Sequence, residues 1–96
     1  MNFSISDINK ILGEIQNWER LKNNIQIFKN ISLDSRTILE KDLFIAIKGT
    51  KFDGHDFLNE IINKGVKAVV IKEGMQKLLP DNFPFWIVPD TLEAFQ

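Results

Sequence analysis

Two spacings of apolar residues run through the chain, one near 3.6 and one near 2. Ile8, Ile11 and Leu12 fall at i, i+3 and i+4 behind Ser6-Asp7. That spacing predicts a short amphipathic helix started by Ser6 and stopped by Gly13. Polar residues then run from Asn17 to Asn24 and predict a loop, in which Trp18 reads as a packing anchor rather than a ligand platform. Ile25 and Ile27 alternate with polar neighbours, as in a half-buried strand, and Ile31-Ser32-Leu33 continues or restarts it. Leu43-Phe44-Ile45-Ala46-Ile47 is unbroken by any polar residue and predicts a strand buried on both faces. Lys48 to Gly54 reads as a loop punctuated by Gly49 and Gly54.

The period then lengthens again. Phe57, Leu58, Ile61 and Ile62 form one broad apolar stripe, predicting a helix over 56–64 with Gly65 as its stop. Ala68-Val69-Val70-Ile71 and Phe85-Trp86-Ile87-Val88 predict two more strands, separated by a short helical turn over 75–79 ahead of Pro80. Strand, helix and strand with short links make a βαβ unit, whose strands are parallel and whose crossover is right-handed. A last helix begins at Thr91, behind Pro89 and Asp90, and has no stop signal. One isolated turn of helix is not stable. The sequence is therefore expected to be part of something longer, cut inside or just before that helix.

Composition narrows the classes. The 96 residues suit one domain. A net charge of -1 gives no field that favours nucleic acid or an anionic membrane. The absence of cysteine removes disulfides, thiolate metal sites and a cysteine nucleophile. No signal-peptide pattern and no run of about 20 apolar residues is present, so a soluble, intracellular protein is expected.

Two loops carry the candidate chemistry. In Leu33-Asp34-Ser35-Arg36-Thr37, Asp and Ser shape a turn, and Arg36 offers a planar fork that suits a carboxylate or phosphate. An internal Asp–Arg contact explains the same residues. In Lys48-Gly49-Thr50-Lys51-Phe52-Asp53-Gly54-His55, a Gly-, Thr- and Lys-bearing loop joins a buried strand to a helix. Ligands of α/β sheets bind beyond the carboxyl ends of strands, and phosphates bind at helix N-termini. Here the alternative is that Asp53 and His55 simply cap the helix. No GxxxxGK[ST] loop, nucleophile elbow or metal-ligand spacing occurs in the chain.

The ordered set Leu33-Asp34-Ser35-Arg36, Asp42-Leu43-Phe44-Ile45-Ala46-Ile47-Lys48-Gly49, Phe52-Asp53-Gly54-His55-Asp56-Phe57 and Gly65-Val66-Lys67-Ala68-Val69-Val70 resembles the N-terminal domain of the Mur ligases. Val88-Pro89-Asp90-Thr91-Leu92-Glu93-Ala94, with Phe52 and His55-Asp56-Phe57, is more similar to the member adding D-alanyl-D-alanine than to the one adding the third stem-peptide residue. Lys41, Ile61 and Val66 depart from the family's usual glycine and alanines, at positions that bear on packing.

The resemblance implies a three-layer α/β fold, with a mixed, mainly parallel sheet of about four to five strands. It implies that residues 1–89 form a domain holding the UDP end of UDP-N-acetylmuramoyl-peptide, and that 90–96 begin the connection to a central domain. That central domain would bind ATP and Mg2+, and a C-terminal domain would help bind the incoming amino component. The parent would be a cytoplasmic ATP-dependent ligase of peptidoglycan synthesis, and this part alone would hold no cofactor and catalyse nothing. By position, Leu33 would lie against the uracil, Ser35 would hydrogen-bond to the nucleotide, and Thr50, Lys51 and Phe52 would line the site. Arg36, Asp53 and His55 would hold the loops in shape. A stand-alone binding module without a ligase attached is the competing class.

Overall fold

A computed structural model describes residues 2–21 and 27–90. Four strands, β3 (Asn30–Ser32), β4 (Asp42–Ile45), β5 (Val69–Lys72) and β6 (Phe85–Val88), form a wholly parallel sheet in sequential order. β1 (Phe3–Ser4) and β2 (Ile27–Phe28) pair antiparallel as a separate two-stranded sheet. The expected α/β class and parallel sheet are thus present. The antiparallel component stands apart from the main sheet, except where the segment around Gln16 bridges to Phe85 at the edge of β6.

The layering follows from the strand order. Each parallel neighbour is reached by a crossover, and right-handed crossovers taken in one direction leave all connections on one face. That face holds Ile38 from the first connection, Leu58 and Ile61 from helix α2 (Leu58–Asn63), and Phe83 from the third, packed on Phe44, Ala46, Val69 and Ile71. The opposite face is left for the N-terminal segment. Ile8 of helix α1 (Ile5–Leu12), Ile15, Leu21 and Phe28 pack there on Leu43, Ile45, Val70, Trp86 and Val88. Alternation along β4 sends Leu43 and Ile45 to one layer and Phe44 and Ala46 to the other. A strand buried on both sides reads as a continuous apolar run for this reason.

Several local expectations shift. α1 begins one residue before Ser6, and its cap is Ser4, whose Oγ accepts from the Asp7 N–H at 3.0 Å. Gly13, at φ 93°, does end it. Ile11 is on the outer side of α1 and 79% exposed, so it is not a core residue. Trp18 sits in a short 3-10 turn and is half-exposed, so it is not the packing anchor expected; Trp86, fully buried, has that role. The helix expected over 56–64 is a 3-10 turn at Gly54–Phe57 followed by α2. Gly65, at φ 98°, ends it as expected. Ile25 and the helix beginning at Thr91 lie outside the described residues. Ile61 and Val66, the larger residues at usual alanine positions, are both buried, whereas Lys41 is exposed. No helix among the described residues is long and apolar enough to cross a membrane.

Candidate functional site

Both candidate loops leave the carboxyl ends of adjacent parallel strands, residues 33–37 after β3 and 48–53 after β4. That shared end of the sheet is where α/β folds open a crevice. A cleft of about 480 Å³ lies there, lined by Leu33, Asp34, Ser35, Arg36, Phe52 and Phe57.

The first loop is organised around Asp34. Its carboxylate accepts from the Arg36 backbone N–H at 2.8 Å, and from Arg36 Nε and an Arg36 terminal nitrogen at 3.2 Å each. The Asp34 N–H in turn donates to Ser32 Oγ at 3.1 Å. The Arg36 side-chain and backbone hydrogen bonds hold the Asp34 carboxyl below its usual pKa, and the same contact raises that of Arg36. Both partners face water, so the pair fixes the shape of the turn more than it stabilises the fold. The internal Asp–Arg contact is made, and Arg36 is also among the residues that line the cleft. Ser35 is buried at the base of the loop, while Leu33 is half-exposed at its rim.

The second loop is a narrow antiparallel turn. Lys48 and Asp53 form a bridge, flanked by Gly49 N–H to Phe52 O at 2.8 Å and Gly54 N–H to Ile47 O at 2.7 Å. Gly54 lies so close to β4 that a Cβ would come within 2.9 Å of Ile47 N and 3.1 Å of Ala46 Cα. The glycine therefore serves close approach of two backbones. Phe52 turns back toward the helix and stacks on Phe57, with ring centroids 5.3 Å apart and planes 24° from parallel. Thr50 and Lys51 are exposed at the tip and do not line the cleft.

His55 secures this turn from inside. Its ring is buried, with Nδ1 2.6 Å from Asp53 Oδ1 and Nε2 accepting from the Lys72 backbone N–H at 3.0 Å. Because Nε2 accepts, the ring proton sits on Nδ1 and points at Asp53. Asp53 Oδ1 also accepts the His55 N–H at 2.9 Å, which is the expected cap. Burial works against the Asp53 carboxylate. The backbone and side-chain hydrogen bonds from His55 outweigh it and hold the pKa below its ordinary 3.8. His55 is thus a structural tie between the turn and β5.

Of the five residues assigned to the nucleotide, three meet at one cleft: Leu33, Ser35 and Phe52. Phe57 and Lys64 were missed. In the sequence Phe57 belongs to a helical stripe and to the family motif but not to the assigned site, although its place five residues after Phe52 carries it across the turn. Lys64 comes from the far end of α2, and its ammonium donates to Ser35 O and Arg36 O. No sequence signal marks it. Among the other hollows of the described residues are one of about 520 Å³ beside α1 near Asn9 and Trp18, and one of about 630 Å³ near Leu39 and Asp42. Neither gathers the residues of the two loops.

Among the described residues no group of three His, Cys, Asp or Glu could hold a metal ion. The chain also has no glycine-rich Lys-Ser/Thr loop.

A family model described as "Mur ligase family, catalytic domain" matches residues 27–85. The chain belongs to the Mur ligase family. A UDP-N-acetylmuramoyl-L-alanyl-D-glutamate–2,6-diaminopimelate ligase of Buchnera aphidicola is 58% identical over 43 residues, covering 45% of this chain and 9% of the relative. A UDP-N-acetylmuramoyl-tripeptide–D-alanyl-D-alanine ligase of Synechocystis is 37% identical over 76 residues, covering 79% of this chain and 16% of the relative. The chain thus spans only a small part of the relatives it matches. Relatives bearing the diaminopimelate-ligase name predominate. In structure, MurF from Acinetobacter baumannii shares the fold, with a TM-score of 0.74 at 23% identity, over 98% of this chain and 19% of that one. The names of these relatives are those of ligases acting on UDP-N-acetylmuramoyl peptides, and this chain matches one part of their length.

Proposed function

We propose that residues 1–89 form the substrate-recognition domain of a Mur ligase, and that the cleft between residues 33–37 and Phe52 receives the UDP end of UDP-N-acetylmuramoyl-peptide. The supporting observation is the convergence of Leu33, Ser35 and Phe52, from two loops at adjacent strand ends, within the family-matched stretch. Leu33 and Phe52 offer an apolar rim for a flat base, and Phe57 backs Phe52. Ser35 offers a hydroxyl from the base of the loop. Arg36, with Lys51 on the neighbouring tip, adds positive charge toward the diphosphate. Thr50 and Lys51 reach a ligand only if it extends past the cleft onto the turn.

Residues 90–96 would lead into a central domain that binds ATP and Mg2+. There the peptide carboxylate would be activated as an acyl phosphate and attacked by the incoming amine. That chemistry, and the cytoplasmic location it requires, belong to the whole ligase. In this reading the chain alone binds and does not catalyse.

The finer assignment is the D-alanyl-D-alanine-adding ligase, on residues 88–94 and on the Synechocystis relative, which aligns over 79% of the chain. The diaminopimelate-adding ligase is the second reading, favoured by the 58% identity to the Buchnera relative. Assaying the parent enzyme with D-alanyl-D-alanine and with a diamino acid separates them. Turnover only with the diamino acid contradicts the first. For the cleft, the test is calorimetric titration of the parent with UDP-N-acetylmuramoyl-tripeptide. Ser35→Ala is expected to weaken binding about three- to tenfold, the worth of one hydrogen bond. Unchanged affinity counts against Ser35 as a ligand contact.

A further inference from the structure

The two walls of the cleft are held together by a residue that does not line it. Lys64 follows the last residue of α2, and its backbone N–H closes the helix on the Glu60 and Ile61 carbonyls, while the Gly65 N–H takes the Ile62 carbonyl. Its side chain runs back to the first loop, where Nζ donates to the consecutive carbonyls of Ser35 and Arg36. Directly after it, Gly65 packs on Glu40, where a Cβ would lie 3.3 Å from the Glu40 Cβ. The C-terminal end of α2 therefore grips the connection between β3 and β4 near both its ends. The other end of α2 follows Phe57, the ring that stacks on Phe52. One helix thus fixes the position of both walls.

We infer that Lys64 is a positioning residue for nucleotide-sugar binding, acting by pinning the Ser35 and Arg36 carbonyls to α2 so that the Ser35 side chain and the Arg36 guanidinium keep their places at the cleft. With both carbonyls turned onto the ammonium, the peptide units of the loop are fixed in orientation. The Asp34–Arg36 contact alone, being local and exposed, sets the shape of the turn but not its placement against Phe52. Charge-assisted bonds to two successive carbonyls supply that placement. This inference rests on the cleft being the nucleotide site.

The test uses the chain, uridine 5′-diphosphate as probe, and amide NMR titration to millimolar concentrations. Lys64→Met keeps the aliphatic stem and removes the donors. It is expected to weaken binding roughly three- to tenfold, the effect of a hydrogen bond to a charged group partly shared with water. It is also expected to speed hydrogen exchange of the Arg36 and Thr37 amides, while core amides of β4 and β5 stay protected. Lys64→Arg, which can still donate to both carbonyls, is expected to restore most of the affinity. Phe52→Ala is run beside them. Weakened binding in Phe52→Ala with none in Lys64→Met overturns the role of Lys64 and leaves the cleft standing. No perturbation of the wild-type loops by the probe overturns both. A loss in Lys64→Met that Lys64→Arg does not repair, with loop exchange unchanged, also overturns the positioning role.

Discussion

Asp53 shows how one carboxylate oxygen in this protein serves two groups of a neighbour. Its Oδ1 receives both the backbone N–H and the ring nitrogen of His55, while the other ring nitrogen takes the Lys72 N–H. The chain of contacts joins the turn, the 3-10 segment and β5 through groups that water would otherwise satisfy. Its folded pKa lies below the ordinary 3.8, so the stability it contributes is complete above that value and disappears as pH falls through the lower folded one. Asp53→Asn is therefore expected to be less stable than wild type near neutrality. The gap should narrow in acid below about pH 4, the ordinary carboxyl range. Urea unfolding at several pH values checks this. A gap that stays constant through the acid range would mean the carboxylate charge is not what matters. The sequence pattern reached part of this: a cap at Asp53 and a structural His55 were legible from Asp53-Gly54-His55 before a helix. The Lys72 partner was not, because it lies 17 residues away on the next strand and only the fold brings it near.

At the scale of elements, α1 is fastened to the sheet by Asn9. Its Oδ1 accepts the Trp86 Nε1–H at 2.8 Å and the Ile15 N–H at 3.0 Å, so one amide satisfies the indole of the fully buried tryptophan and the chain leaving the helix. Asn9→Ala leaves both donors without that acceptor. An expected loss of about 1–3 kcal/mol follows from stranding buried donors. Chemical denaturation with tryptophan fluorescence measures it; a loss within a few tenths of a kcal/mol would mean water replaces the amide without cost. The elements themselves were largely readable. The run Leu43 to Ile47 announced a two-sided strand, and Gly13 and Gly65 marked the helix ends they occupy. The failures were of orientation. Ile11 obeys the helical spacing yet faces outward, because the inner stripe of α1 is carried by Ile5, Ile8 and Leu12 and Ile11 falls to its side. Trp86 lies in an apolar run that predicts a strand and Trp18 among polar residues, and burial follows that local pattern: Trp86 is core and Trp18 is exposed.

For the molecule as a whole, strand order explains both the layers and the site. Sequential parallel strands send their connections to one face and leave the other to the N-terminal segment, while every strand delivers its following loop to the same end. Leu33, Ser35 and Phe52 converge for that reason, though 17 residues separate Ser35 from Phe52. The resemblance to Mur ligases in the sequence named these three. It also named Thr50 and Lys51, which the hairpin geometry carries to the tip, beyond the cleft. The most direct check of the central claim is amide shift mapping of the chain titrated with UDP-N-acetylmuramic acid. Shifts are expected to concentrate at residues 33–37 and 49–57, with the hollow beside Asn9 and Trp18 unmoved. Shifts confined to that hollow, or to the one near Leu39 and Asp42, would contradict that claim.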